Sequence, residues 1–137
     1  MNIFLSCVKA KESTYCSAEQ MYISPLFKKS LQYAKTFKNA NIYILSAKYG
    51  LLKLSDMIYP YDETLNTMNN EARDKWSKMV LRQCTSENID FNEEAIFLCG
   101  KKYREKLQKH FTNSKAPLSH LGIGKQLQFY TNALNKK

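Results

Sequence analysis

The sequence lacks a long apolar run, internal repeats and low-complexity segments. No stretch approaches the roughly 20 apolar residues that a membrane-spanning helix needs. The N-terminal segment "MNIFLSCVKAKE" is briefly apolar, but no basic region precedes the apolar part as it does in a secretory signal. We therefore expect a protein that makes no membrane contact and works in the cytoplasm.

The sequence also lacks closely spaced cysteine pairs. Its four cysteines form no Cys-x-x-Cys motif, so the tetrahedral sulfur cage of a structural zinc site is not predicted, and neither is any cofactor. A chain of this size does not need disulfides, which favours a reducing compartment. Cys7 and Cys99 fall at the ends of predicted strands, where a small buried thiol is favoured over a reactive one.

Apolar and basic residues are plentiful. With 137 residues, 44% apolar and 12% aromatic, the chain is long enough for one core, and we predict a single domain over residues 1–137. Twenty-one Lys and Arg against twelve Asp and Glu give a net charge of +9. This charge favours polyanionic partners such as DNA, RNA or nucleotides. A solvated lysine-rich surface explains the same charge, because many lysines punctuate predicted helical faces.

Strands and helices alternate along the chain. Residues 2–6, 41–46 and 95–99 form short apolar runs typical of buried parallel strands. Helical spacing predicts helices over residues 25–37, 70–83, 103–111 and 124–134, with Ser24 and either Asn69 or Asn70 as N-caps. Residues 47–68 show no clear periodicity and are interpreted as an irregular loop. The pattern predicts a three-layer α/β/α domain with a mostly parallel sheet.

In such a sheet, ligands bind beyond the carboxyl ends of the strands. That rule gives a set of candidate ligand-binding residues: Ser6, Cys7 and Lys9 after the first strand, Ser46, Lys48, Tyr49 and Gly50 after the second, and Gly100, Lys101 and Tyr103 after the third. The segment "LSAKYGLL" at 45–52 is interpreted as a wall of the cleft, in which Ser46 and Lys48 hold an anion and Tyr49 stacks a base. Tyr22 and Ser24 either reach the same cleft or form a plain helix cap.

The segment "YPYDETL" at 59–65 offers the best carboxylate. Asp62 is predicted to act as a general base or to stabilise a cationic transition state, with Tyr61 as an aromatic wall. A cap for the following turn is the alternative role of Asp62. The glycine-bearing "HLGIGKQ" at 120–126 fails as a phosphate-binding P-loop, because Ser119 stands where a glycine is needed and Gln126 where Ser or Thr is needed.

These motifs together resemble a family of small uncharacterised bacterial and phage proteins. The resemblance rests on "MYISPLF" at 21–27, "LSAKYGLL" at 45–52, "PYDETL" at 60–65, Gly100 and "PLSHLGIGKQ" at 117–126, so it covers nearly the whole chain. The segment 44–65 is also similar to the signature of YaaA-type peroxide-stress proteins, which are larger and bind and protect DNA. Those proteins carry Arg after "PY", where this chain has Asp62.

A looser resemblance extends to the uracil-DNA glycosylase superfamily. "IFLCGKKYREKL" at 96–107 is similar to the glycosylase strand that ends in glycine, and "PLS" at 117–119 is similar to its later Pro-Leu-Ser loop, which implies a ligand-binding role for Ser119. The water-activating Asp loop that follows strand one in the glycosylases has no counterpart in "SCVKAKES".

Two functions are consistent with these observations. The first is a nucleotide- or nucleic-acid-processing enzyme, with N-glycosidase-like hydrolysis of a base–sugar bond favoured and with Asp62, Lys48 and Ser46 as catalytic residues. The second is a non-catalytic DNA- or nucleotide-binding protein that acts in stress response or phage defence. DNA is favoured over RNA as a polymeric partner, and the sequence leaves the oligomeric state open.

Overall fold

The computed structural model describes residues 1–136. The strands are β1 (Asn2–Ser6), β2 (Cys16–Ser17), β3 (Asn41–Ser46), β4 (Gly50–Lys53), β5 (Met57–Ile58), β6 (Ala95–Leu98) and β7 (Ser114–Lys115). The helices are α1 (Ala18–Met21), α2 (Pro25–Ala34), α3 (Asn70–Ser86), α4 (Lys101–Gln108) and α5 (Ile123–Leu134), and a 3-10 turn spans Leu65–Thr67. None of these helices is both long enough and apolar enough to cross a membrane.

Five strands form the central sheet in the order β4-β3-β1-β6-β7. Strands β3, β1, β6 and β7 run parallel, and only the edge strand β4 is antiparallel. The central strand β1 is buried on both faces, with Ile3, Phe4 and Leu5 at most 1% exposed, as its uninterrupted apolar run predicts. The predicted mostly parallel α/β fold is therefore confirmed.

Helices cover both faces of the sheet. On one face, Phe4 stacks on Tyr43 and Phe97, and Phe111, which follows α4, packs edge-on against Phe4. Helices α3 and α4 pack together through Trp76 and Tyr103. Helices α2 and α5 form the other layer, in which Tyr33 meets Tyr130 and Phe129.

The helix caps follow the sequence signals. The Ser24 side chain accepts a hydrogen bond from the Phe27 N–H at 3.1 Å, and the Asn69 side chain accepts one from the Ala72 N–H at 2.8 Å. Each cap satisfies an N–H group that the first helical turn leaves without an intrahelical partner. The N-cap of α3 is thus Asn69, the first of the two predicted asparagines.

The interpretation of residues 47–68 as an irregular loop is wrong. This segment contains β4, β5 and the 3-10 turn. Strand β4 folds back on β3 as a tight hairpin, pairing Gly50 with Ser46 and Leu52 with Ile44. Strand β5 pairs with β2 in a separate two-stranded sheet. Strands of four and two residues are too short to show a period, and β5 also depends on a partner strand that is about forty residues away in the sequence.

Candidate functional site

The carboxyl ends of the parallel strands meet at one edge of the sheet. The register aligns Ser6 with Leu45 on one side and Leu5 with Leu98 on the other, so Ser6, Ser46 and Gly100 lie along that edge, as predicted. From β1 the chain crosses to β3 on one side, whereas from β6 it proceeds to β7 on the other. The direction of winding therefore changes between β1 and β6, and ligands bind at such a switch point.

A cleft opens at this point. It consists of two adjoining hollows of about 460 and 490 Å³, within the range of small-molecule sites. Both hollows are lined by Cys7, Val8, Lys9, Asn66 and Tyr103, and we call the two together the switch-point cleft. The cleft is therefore continuous past the end of β1.

One end of the cleft carries carboxylates. The first hollow is also lined by Lys11, Asp62, Glu63 and Thr64. The Thr64 hydroxyl accepts a hydrogen bond from the Asn66 N–H at 3.2 Å, so Thr64, and not Asp62, caps the 3-10 turn. Within residues 1–136, no hydrogen bond or ion pair engages the Asp62 carboxylate.

At the other end, the charged residues that the structure describes are all cationic. The second hollow is lined by Lys9, Lys101 and Lys102, and none of its lining residues within the described chain is Asp or Glu. Gly100, the N-cap of α4, also lines this hollow and supplies no side-chain cap, so the first N–H groups of the helix have no side-chain partner there. A third hollow of about 270 Å³ shares Gly100 and Lys101 and adds Arg104 and Ser119. An anionic group fits this end of the cleft.

Cys7 and Tyr103 form the floor between the two ends. The Cys7 thiol donates to the Tyr103 hydroxyl at 3.3 Å, and the Leu65 N–H donates to the same oxygen at 3.4 Å. Burial, reinforced by the neighbouring Cys7 thiol, raises the pKa of Tyr103 to about 12. The Tyr103 phenol is therefore neutral at physiological pH and is able to donate a hydrogen bond.

Behind this floor lies a buried chain of hydroxyl groups. The Ser46 hydroxyl donates to Tyr61 at 2.7 Å, and the hydroxyls of Tyr61 and Tyr22 are 2.6 Å apart. Ser46, Tyr22 and Tyr61 are 0%, 1% and 7% exposed. Burial, as the largest cause, raises the pKa of both tyrosines well above its ordinary value of 10.0. None of these three residues lines the switch-point cleft, so Tyr61 is a support beneath the site and not an exposed wall.

The segment "LSAKYGLL" forms the β3–β4 hairpin. The Ser46 hydroxyl accepts hydrogen bonds from the N–H groups of Lys48 and Tyr49 at 3.2 and 2.9 Å. The Gln83 side chain from α3 accepts from the Leu51 N–H at 2.8 Å and donates to the Tyr49 carbonyl at 3.0 Å. Lys48, Tyr49 and Gly50 are not among the residues that line the switch-point cleft. The Lys48 ammonium lies over the Tyr49 ring, 5.5 Å from its centroid.

The structure brings together part of the predicted set. Seven predicted residues line the switch-point cleft: Ser6, Cys7, Lys9, Asp62, Gly100, Lys101 and Tyr103. Ser119 lines the third hollow, and Ser24 caps α2. The prediction missed Lys11, Glu63, Lys102 and Arg104. The strand-end rule could have identified Lys102, since it follows Gly100 by two residues. No sequence signal indicates that Lys11 lies beside Tyr61.

Comparison with known proteins identifies the family. A model of a family of unknown function, DUF6884, matches residues 3–132, and the chain belongs to that family. The chain is also 35% identical over 125 residues to the uncharacterized protein YfjM of Bacillus subtilis (strain 168). That alignment covers 88% of this chain and 81% of YfjM. The resemblance to a small uncharacterised bacterial family is therefore confirmed.

Proposed function

We propose that this protein is a cytoplasmic nucleotide- or nucleic-acid-processing enzyme that hydrolyses a base–sugar bond in the manner of an N-glycosidase. The observation that carries the proposal is the distribution of charge along the switch-point cleft: within residues 1–136, carboxylates line one end of it, whereas lysines line both ends. Asp62 and Glu63 lie at one end, and Lys101, Lys102 and the start of α4 lie at the other. A nucleotide has the matching polarity, because its phosphate is anionic and its glycosidic carbon becomes cationic in the transition state.

This arrangement assigns a role to each end of the cleft. The phosphate binds to the N–H groups of α4 and to Lys9, Lys101 and Lys102. Asp62 removes a proton from water as the water oxygen bonds to the anomeric carbon of the sugar. The bond between that carbon and the base nitrogen breaks, and the base leaves with the electron pair. The departing base takes a proton from the neutral Tyr103 hydroxyl, which Asp62 restores through solvent.

Two predicted catalytic residues take different roles in this proposal. Ser46 is buried and donates a hydrogen bond to Tyr61, so it supports the site through Tyr61 and does not contact substrate. Lys48 is exposed on the hairpin and lies outside the cleft lining, so Lys9, Lys101 and Lys102 replace it as phosphate ligands. The similarity of residues 44–65 to YaaA-type proteins and of residues 96–107 to the uracil-DNA glycosylase superfamily supports a nucleic-acid substrate.

A non-catalytic DNA- or nucleotide-binding protein of stress response or phage defence is the second candidate. The net charge of +9 favours it, because a cationic surface binds phosphate backbones without any chemistry. A binding protein would lose affinity steeply with salt and would be indifferent to Asp62→Asn. An enzyme would release a product and would depend on that carboxylate.

The direct test is a search for a released base. We would incubate the protein with nucleosides, nucleoside monophosphates, single-stranded DNA and duplex DNA, and detect free base by chromatography. The proposal predicts release from a phosphorylated substrate and not from the corresponding nucleoside. Binding without release from any substrate would favour the binding protein instead.

A further inference from the structure

Two tyrosines form an exposed aromatic pair beside the short β2–β5 sheet. The rings of Tyr15 and Tyr59 have centroids 4.5 Å apart, and the side chains are 48% and 62% exposed. Because Cys16 pairs with Ile58 in antiparallel strands, Tyr15 and Tyr59 are the next residues opposite each other. The strand pairing therefore sets the two rings side by side.

The pair is anchored at its base and open at its surface. The Tyr59 N–H donates to the Tyr49 hydroxyl at 3.2 Å, which fixes the backbone beneath the ring. Within residues 1–136, neither the Tyr15 hydroxyl nor the Tyr59 hydroxyl makes a hydrogen bond. Met57, in β5, is 52% exposed but carries no ring on which a base could stack. Grouped exposed aromatic side chains of this kind are typical of binding surfaces.

The aromatic pair lies close to the carboxylate end of the cleft. Only three residue steps separate Tyr59 from Asp62, so their Cα atoms are at most about 11 Å apart. Contacts also connect them, because the Tyr49 ring packs edge-on against Tyr61 and the Lys11 ammonium lies 4.6 Å from the Tyr61 centroid. Lys11 itself lines the cleft. A separation of at most about 11 Å is spanned by no more than about three nucleotides, at about 3.4 Å per nucleotide along one strand.

We infer that Tyr15 and Tyr59 form a stacking platform for the bases of a single-stranded nucleic acid whose neighbouring nucleotide occupies the switch-point cleft. The inference rests on the proposed function for the identity of the group in the cleft. It names a polymer, and not a free nucleotide, as the substrate class. The net charge of +9 favours a polyanion, and Lys9 and Lys11, which line the cleft beside Asp62 and Glu63, provide cations for the phosphates of the strand. A single strand is required because duplex bases do not offer their faces to side chains.

The test compares strand binding by four proteins. We would measure fluorescence anisotropy of a labelled single strand of ten thymidines with the wild type, the Tyr15→Ala/Tyr59→Ala double variant, the Tyr15→Phe/Tyr59→Phe double variant and Met57→Ala. Competition by thymidine monophosphate measures binding at the switch-point cleft alone. We expect the alanine variant to bind the strand about 10-fold or more weakly, from the loss of base stacking. The other two variants should match the wild type, and all four should bind the mononucleotide equally.

Several results would overturn the inference. The first is that the wild type binds the strand no more tightly than it binds the mononucleotide. The second is that the alanine variant binds the strand with the affinity of the wild type. The third is that the phenylalanine variant binds the strand as weakly as the alanine variant does. If the alanine variant fails to fold, Tyr15→Trp replaces it, and the strand must quench the new indole fluorescence whereas the mononucleotide must not. A failure of the proposed hydrolysis would give a different result: no base would be released, although strand binding would still depend on the two rings.

Discussion

The Ser46 hydroxyl lies 2.7 Å from the Tyr61 hydroxyl and donates a hydrogen bond to it. This contact joins "LSAKYGLL" to "PYDETL", the two segments that carry the family resemblance. Tyr61 directly precedes Asp62 in the sequence, so a buried anchor supports the residue that lines the cleft. A precise polar site needs this kind of rigid support behind it.

Removing the Tyr61 hydroxyl should weaken the fold. Tyr61→Phe keeps the ring but leaves the buried hydroxyls of Ser46 and Tyr22 without their shared partner. Unsatisfied buried polar groups cost about 1 to 3 kcal/mol, and we expect the free energy of unfolding to fall by about that amount. Urea denaturation measures it, with the exposed Tyr15→Phe as the matched control. Equal stability of the two variants would contradict the proposed anchor.

A side chain at the position of Gly50 should lower the stability of the fold. Its φ of +76° lies in the left-handed region, and an added Cβ would clash with the Gln83 side-chain oxygen. The backbone alone disfavours Gly50→Ala by about 1 to 2 kcal/mol, and the displaced Gln83 adds to this loss.

The same substitution at another glycine, Gly124→Ala, should have the opposite effect on stability. No atom lies within 4 Å of a Cβ at this helical position, and alanine there should stabilise α5 by about 0.5 to 1 kcal/mol. Thermal melts of the two variants should therefore shift in opposite directions. A Gly50→Ala protein as stable as the wild type would mean that Gln83 does not clamp the hairpin.

The buried tyrosines should make the fold sensitive to alkali. The pKa of Tyr103 is about 12 in the folded protein and 10.0 is its ordinary value, and burial also raises the pKa of Tyr22, Tyr61 and Tyr130. Because the folded pKa is raised, this contribution to stability is complete below pH 10 and is lost as the pH rises through about 12.

An absorbance titration of the nine tyrosines measures this effect. The exposed tyrosines should ionise without unfolding, and the buried ones should ionise only together with the loss of far-UV circular dichroism. Smooth ionisation of all nine in a protein that stays folded would show that these four side chains are open to solvent.

The sequence allowed the parallel strands of the sheet to be predicted, but not the edge strand β4. Strand β1 reads as a buried strand because both faces are apolar, and the strand-end rule then placed Cys7 and Gly100 at one site. Strand β4 was missed because four residues show no period, and Gln83, which holds the hairpin, lies more than thirty residues away.

The burial of Tyr61 also escaped prediction. A tyrosine within "PYDETL" has polar neighbours and a hydroxyl of its own, which together favour an exposed position. The ring is buried because Ser46 and Tyr22, from two other segments, satisfy that hydroxyl. Hydrogen bonds between distant segments leave no periodic trace in the sequence.

Base release by Asp62→Asn, compared with Glu63→Gln, tests the proposed reaction most directly. Both carboxylates line the same hollow and both are exposed, so either substitution should leave the fold intact. With the substrate found by chromatography, we expect Asp62→Asn to slow base release by about 10² to 10⁴-fold, the usual contribution of a general base. Glu63→Gln should retain most of the activity, and both variants should bind the substrate. Absence of base release by the wild type, or equal rates for Asp62→Asn and the wild type, would contradict the account.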